Sequence, residues 1–406
     1  MTQFFHRPSS PLVFFTFWLL LFAASCRSES DAQRVRPRQL RDVPAQRLAF
    51  TFAADVDAPP NATTEETKPL PAIQQDFDTR RKDDSLILLK TVGSPDGQRA
   101  LALYNQADEP STTFHIDLYA SDGRFLRNLT PPDLAVVFQD SVAWSPDGNY
   151  IAFVGRRAAK PVASPTPEEL EPAVPLESPL PSPTPMPTFA AVATFQTEQI
   201  YICNRDGYDL RPLTTREGLI YFGVSWAPDG RALTALACRE SEWDAREKQF
   251  KAPEGRPRLI SLDGQERLLD DQLANAPPIW SPDSSKIATA FGVDIGIYDA
   301  AGKAPTQARI ALRERLLSAS AVFDEKSSTA KNKTESSTKT GRAIAAGSPP
   351  EATIPASFNS IMRLEWPVPE KLYAQTGYLD LRNALPTFSR WHLLTLSPQA
   401  VVLGRT

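Results

Sequence analysis

One short phrase recurs along this chain, and a fixed repeat constrains the fold before any local preference does. Trp144-Ser145-Pro146-Asp147-Gly148 returns as Trp226-Ala227-Pro228-Asp229-Gly230 and as Trp280-Ser281-Pro282-Asp283-Ser284. An earlier copy, Gly93-Ser94-Pro95-Asp96-Gly97, keeps the turn without the tryptophan. Proline fixes φ and donates no hydrogen bond, so it ends an incoming strand; Asp-Gly then reverses the chain, glycine tolerating positive φ. The tryptophan before the turn is a large apolar anchor for packing one unit on the next. Apolar stretches follow the turns, as in Ile151-Ala152-Phe153-Val154 and Ile287-Ala288-Thr289-Ala290.

The second half of each unit repeats as well. Ile116-Asp117-Leu118-Tyr119 precedes Asp122-Gly123, Ile200-Tyr201-Ile202-Cys203 precedes Asp206-Gly207, and Leu259-Ile260-Ser261-Leu262 precedes Asp263-Gly264. Ile297-Tyr298-Asp299 with Ala301-Gly302 is a looser fourth copy. Each unit therefore reads as strand, SPDG turn, strand, loop, strand, DG turn, strand, which is one four-stranded blade of an all-β propeller. With two low-complexity inserts set aside, the spacing is about 50 residues, the length of such a blade. Trp366, after Ile361-Met362-Arg363-Leu364, reads as a degenerate fifth copy. The tail Leu393-Leu394-Thr395-Leu396-Ser397-Pro398 reads as the opening of a sixth. Six blades are favoured, with five as the alternative.

The W-S-P-D-G turn, the I-A-F strand and the I-Y strand with its D-G turn resemble the TolB-type WD-like propeller repeat, well over 84–317 and poorly over 357–406. The resemblance implies a six-bladed ring closed by the chain ends, with Leu48-Ala49-Phe50-Thr51-Phe52 completing the last blade. It also implies protein–protein interaction in the bacterial envelope. The repeat by itself names no reaction, because one fold hosts many functions.

His6-Arg7 precede an apolar run from Leu12 to Ala24, too short to cross a bilayer and suited to a secretory signal. Ala23-Ala24-Ser25-Cys26 resembles the lipobox of bacterial lipoproteins, with Ala23 where leucine is usual. Residues 1–25 are thus expected to be a signal peptide, and Cys26 the lipid-bearing first residue, the only link to a membrane. The location expected is the periplasm or the cell surface. A secreted protein with free Cys26 and an uncleaved anchor are the alternatives.

Residues 26–82 read as a polar tether holding the possible ring-closing strand, and 83–406 as the propeller. A Pro-rich arm (158–192) and a Lys/Ser/Thr/Ala-rich segment expected to be disordered (324–356) interrupt it. A formal charge of −4 over 406 residues, without a basic stripe, argues against nucleic acid. Cys203 and Cys238 read as buried, unpaired residues, with a disulfide between neighbouring blades as the alternative. A monomer is expected.

Chemistry is nearly absent from the pattern. Only His115 and His392 follow Cys26, neither in metal-ligand spacing, and no GxSxG elbow, P-loop or dinucleotide fingerprint occurs. Asp96, Asp147, Asp229 and Asp283 recur where a turn wants an Asx residue, so their expected role, with Pro95, Gly97, Pro146, Gly148, Pro228, Gly230 and Pro282, is structural. The expectation is a protein with no catalytic residue, cofactor or metal.

Placement of the inserts says more. In a four-stranded meander the first and third turns emerge on one face, and the second turn and the blade-to-blade connection on the other. The arm 158–192 and the charged loop 239–258, with Trp243 and Phe250, are second connections; 324–356 joins two blades. All three should project from one face, which makes that face the expected interaction surface. The function expected is a scaffold that binds a protein of the envelope. Small-ligand or glycan binding in the central channel is a second reading, and a degenerate peptidase propeller a third.

Overall fold

The computed structural model describes residues 39–60, 69–79, 81, 85–107, 110, 112–157, 197–249, 251–335, 354–380 and 385–398. Cys26, Phe250 and the signal region lie outside these residues, as do the arm 158–192 and residues 336–353. No helix among them is long and apolar enough to cross a membrane.

The repeat units fold as the turn chemistry requires, into successive four-stranded antiparallel sheets. Strand β1 (Leu48–Val56) and helix α1 (Pro71–Thr79) precede the first sheet, which holds β2 (Leu86–Gly93), β3 (Arg99–Gln106), β4 (His115–Ala120) and β5 (Phe125–Asn128). In the second sheet, β6 (Leu134–Val136) and β7 (Ala143–Trp144) share the first position, followed by β8 (Tyr150–Arg157), β9 (Gln199–Asn204) and β10 (Arg211–Pro212). The third sheet holds β11 (Leu219–Trp226) and β12 (Ala232–Arg239), then, after helix α2 (Glu240–Glu247), β13 (Arg256–Ser261) and β14 (Glu266–Leu268). The fourth holds β15 (Ile279–Trp280), β16 (Lys286–Phe291), β17 (Asp294–Asp299) and β18 (Gln307–Ile310). After helix α3 (Arg313–Glu335), the fifth holds β19 (Ile361–Val368), β20 (Lys371–Asp380) and β21 (Leu385–Pro398), and β1 returns to pair with β21, Phe50 opposite Leu396.

Strands β3, β8, β12 and β16 are buried along most of their length because both of their faces are covered; β16 is buried at every residue. Four apolar clusters lie between consecutive sheets, and each contains one repeat tryptophan: Trp144, Trp226, Trp280 and Trp366 in chain order. The other face of the first sheet packs Ala100, Ala102, Tyr104 and Tyr119 against Ile73 and Phe77 of α1. No apolar cluster among the described residues joins the first sheet to the fifth.

Four expectations change. The described residues form five sheets, where the spacing favours six. The tail 393–398 belongs to β21, in the same sheet as Trp366, rather than opening another unit. The intervening strand β20 escapes the repeat pattern because its turn is Val368-Pro369-Glu370, closed by the Trp366 indole N–H on the Pro369 carbonyl at 3.0 Å. Within the tether, α1 is docked on the first sheet, with the Tyr119 hydroxyl donating to Asp76 at 2.8 Å. The segment 324–356 is helical as far as Glu335, because α3 is rooted in the core by Leu312 and Leu316 before its polar stretch begins.

Cys203 and Cys238 are free and buried. Cys203 packs between the first and second sheets and Cys238 between the third and fourth, so the alternative disulfide does not form. Burial pushes both thiols up to about 12.

Candidate functional site

The repeat turns come first, because they set the frame. Ser94 donates its hydroxyl to Asp96 at 2.6 Å, and Asp96 accepts the Gln98 N–H at 3.1 Å. Ser145 with Asp147 and Ser281 with Asp283 repeat this bond at 2.5 and 2.7 Å. The Ser94 hydroxyl and the Gln98 N–H, with Arg205 adding charge, hold the Asp96 carboxyl at about 2. Adjacent turns abut one another. Arg205 of the second sheet reaches Asp96 at 2.7 Å, the Asp229 N–H donates to the Ser284 hydroxyl at 3.0 Å, and Arg41 pairs with Asp283 at 3.5 Å. A Cβ on Gly230 would sit 3.2 Å from the Asp147 carboxylate, and its φ of +71° favours glycine, while Ser284 holds φ +58° at the same place in the next repeat. These residues are thus engaged in holding one sheet beside the next.

The tryptophans do the same. Trp144 donates its indole N–H to the Val92 carbonyl of the preceding sheet at 3.0 Å, and Trp280 to Ser225 at 3.3 Å. The Trp226 indole N–H is buried without a partner among the described residues.

The opposite face carries a cavity of about 400 Å³. Ala135 and Val137 of the second sheet and Ile220 of the third form its floor, and Thr112 and Thr113 reach it from the β3–β4 connection. Phe138 and Trp243 supply aromatic wall, and Arg156, Glu198 and Glu247 supply charge. Arg156 and Glu198 flank the arm 158–192, so the root of that insert and the loop 239–258 meet at one cavity.

Trp243 is positioned by a helix that the sequence conceals. The charges of residues 239–258 read as a solvated loop, but they close on one another. Glu242 accepts the Arg239 N–H at 2.9 Å and receives the Arg256 guanidinium in a fork of 2.8 and 3.0 Å. These contacts, Arg256 foremost, lower the Glu242 carboxyl. Arg246 pairs with Glu254 at 2.8 Å and donates to the Ala252 carbonyl at 2.6 Å. With that scaffold tied, Trp243 lands half-buried on Phe138 and Phe222, ring centroids 5.5 and 5.4 Å away. Glu198 is 8% exposed and meets Arg156 at 3.3 Å; the Arg156 side chain is 58% exposed.

Neither His115 nor His392 lines this cavity. His115 is buried beside Tyr104, with ring centroids 5.6 Å apart. His392 is buried on Thr376, and burial, then the Arg390 charge, pull it down to about 4. No group of three or more His, Cys, Asp or Glu among the described residues could hold a metal ion.

No known family model matches the chain, and no curated protein does. Solved structures similar to it include a TolB-assigned protein of Agrobacterium tumefaciens, 17% identical over 53% of this chain and 63% of that one, with a TM-score of 0.31. An oligogalacturonate lyase of Vibrio parahaemolyticus is 8% identical over 77% and 67%, at 0.38. TolB of Acinetobacter baumannii is 12% identical over 78% and 55%, at 0.33. The chain spans under two thirds of the length of both TolB structures, and at such identities and TM-scores no activity or partner transfers from any of the three.

Proposed function

We propose that this protein is a TolB-like propeller of five blades, closed through β1, that acts without catalysis as a protein-binding scaffold of the bacterial envelope. The scaffold is held at the membrane through lipid on Cys26, in the periplasm or at the cell surface. Its binding face is the one carrying the long connections. The observation that carries this reading is the aromatic cavity where the root of the Pro-rich arm meets Trp243. Pockets with an aromatic anchor and a polar rim, set on a rigid frame, are what protein partners engage. The cavity's volume also suits a small ligand, which sustains small-molecule or glycan binding as a second reading.

A photo-crosslinking residue placed at Glu247, on the cavity rim, or at Asp122, in a third-connection turn, separates these readings in native envelopes. Discrete protein adducts from position 247, weakened by Trp243→Ala and absent from position 122, are expected. Equal labelling from both positions would refute the binding face. No adduct from 247, together with a thermal shift produced by small molecules, would favour the ligand reading.

A further inference from the structure

We propose that the cavity receives an arginine side chain of the bound protein, its guanidinium laid against Trp243 and paired with Glu198. This deepens the scaffold reading and rests on its binding face. Trp243 and Phe138 offer aromatic wall beside two carboxylates, Glu198 and Glu247. Two neighbouring charges are already engaged, Glu242 by Arg256 and Arg246 by Glu254. Glu247 has no ion pair among the described residues. Glu198 is the buried one, and its partner Arg156 is largely in water. An ion pair with one arm in solvent contributes little and exchanges readily. An incoming guanidinium, desolvated against the indole, would take its place and leave Arg156 hydrated.

Guanidinium is favoured over ammonium because it is planar, weakly hydrated and able to stack while it forks onto a carboxylate. The molecule uses this chemistry within its own fold. Arg81 is ringed by Phe125, Phe77, Tyr104 and Tyr119 at 4.8, 5.0, 5.8 and 5.9 Å and is ion-paired to Asp117. Arg309 lies 3.7 Å from the Phe291 ring centroid and 2.7 Å from Asp270. The cavity presents the same combination of ring and acid facing outward.

The test follows the Trp243 indole N–H resonance of the full protein, assigned by its loss in Trp243→Phe. N-acetyl-arginine amide and the neutral isostere N-acetyl-citrulline amide are titrated in parallel. Arginine should move this signal saturably, about tenfold more tightly than citrulline, and Glu198→Gln and Glu247→Gln should each remove most of that preference. Glu247 is exposed, so its variant reports on charge without risk to the core; the other indole resonances verify folding of the Glu198 variant. Equal binding of the two probes, an unmoved Trp243 signal, or a preference indifferent to both substitutions overturns the proposal. Crosslinks at 247 without arginine preference would leave the scaffold reading standing. Arginine binding without crosslinks would instead fail the scaffold reading and leave a small-cation site.

Discussion

Trp144 and Trp226 occupy the same place in the repeat and differ in one bond. Both are buried between sheets, but only the Trp144 indole N–H finds a carbonyl; that of Trp226 is buried unmet. Replacing either with phenylalanine removes similar apolar area, but Trp144→Phe also leaves the Val92 carbonyl without its donor, whereas Trp226→Phe removes an orphan. We expect Trp144→Phe to be the less stable by about 1 kcal/mol in urea unfolding. His392 gives a second residue-scale outcome. Its ring stacks on Phe52, its Nδ1 has no partner among the described residues, and Arg390 stands nearby with Asp55 in partial opposition. The folded protein therefore holds it neutral down to about 4, while the unfolded chain protonates it near 6.5. Its contribution is fully present above 6.5 and lost as pH falls toward 4, by about 3 kcal/mol. Thermal melts at pH 7 and pH 4.5 should show this drop, and His392→Gln should flatten it.

At the scale of elements, β1 is the strand most dependent on distant partners. Asp299 accepts the Ala45 N–H at 3.0 Å while pairing with the buried Lys286 at 2.9 Å, which fixes the chain on the fourth sheet just before β1 joins the fifth. At the far end of β1, Asp55 receives the Arg390 guanidinium at 2.5 and 2.8 Å. The same guanidinium donates to Ser320 and to the Ala319 carbonyl of α3, so one side chain ties β1, β21 and α3. Asp55→Asn keeps the left-handed backbone that asparagine tolerates but leaves a buried cation without its carboxylate. The expected loss is about 3 kcal/mol in chemical denaturation, with faster hydrogen exchange in β1 and the first turns of α3. A tether that only held the sheets away from a membrane would make Asp55→Asn silent.

Across the whole molecule, apolar burial is concentrated between the sheets, in the four clusters that hold the repeat tryptophans. Gly155 of β8 pairs with Gln199 of β9 across the base of the arm, so a short Asn-Gly turn in place of 158–196 closes the same hairpin. Loop-closure cost grows only slowly with loop length, and we expect a melting temperature within about 3 °C of the intact protein. A collapse in melting temperature would show that the arm is part of the fold. Which parts of this architecture are legible in the chain follows from the range of the forces involved. The SPDG and DG turns are local chemistry, satisfied within five residues by Ser–Asp and Asp–backbone bonds, so they and the four-stranded units they delimit can be read directly. The tryptophans and the β1 strand carry enough apolar signal to be placed as well. Helix α2 was hidden because its charges, which suggest a solvated loop, find their partners only when Arg256 and Glu254 return beside it. Helix α1 was hidden because its Ile73 and Phe77 have meaning only against the outer face of the first sheet. The fifth sheet's second strand lacks the repeat turn altogether. The cavity draws Thr113, Ala135, Glu198, Ile220 and Trp243 from five separate connections and strands, and no spacing along the chain encodes their meeting. Turn chemistry acts over a few residues and was determined by the sequence; the site, the docked helices and the pairing of the two chain ends depend on contacts between distant residues, and only the tertiary structure decided them.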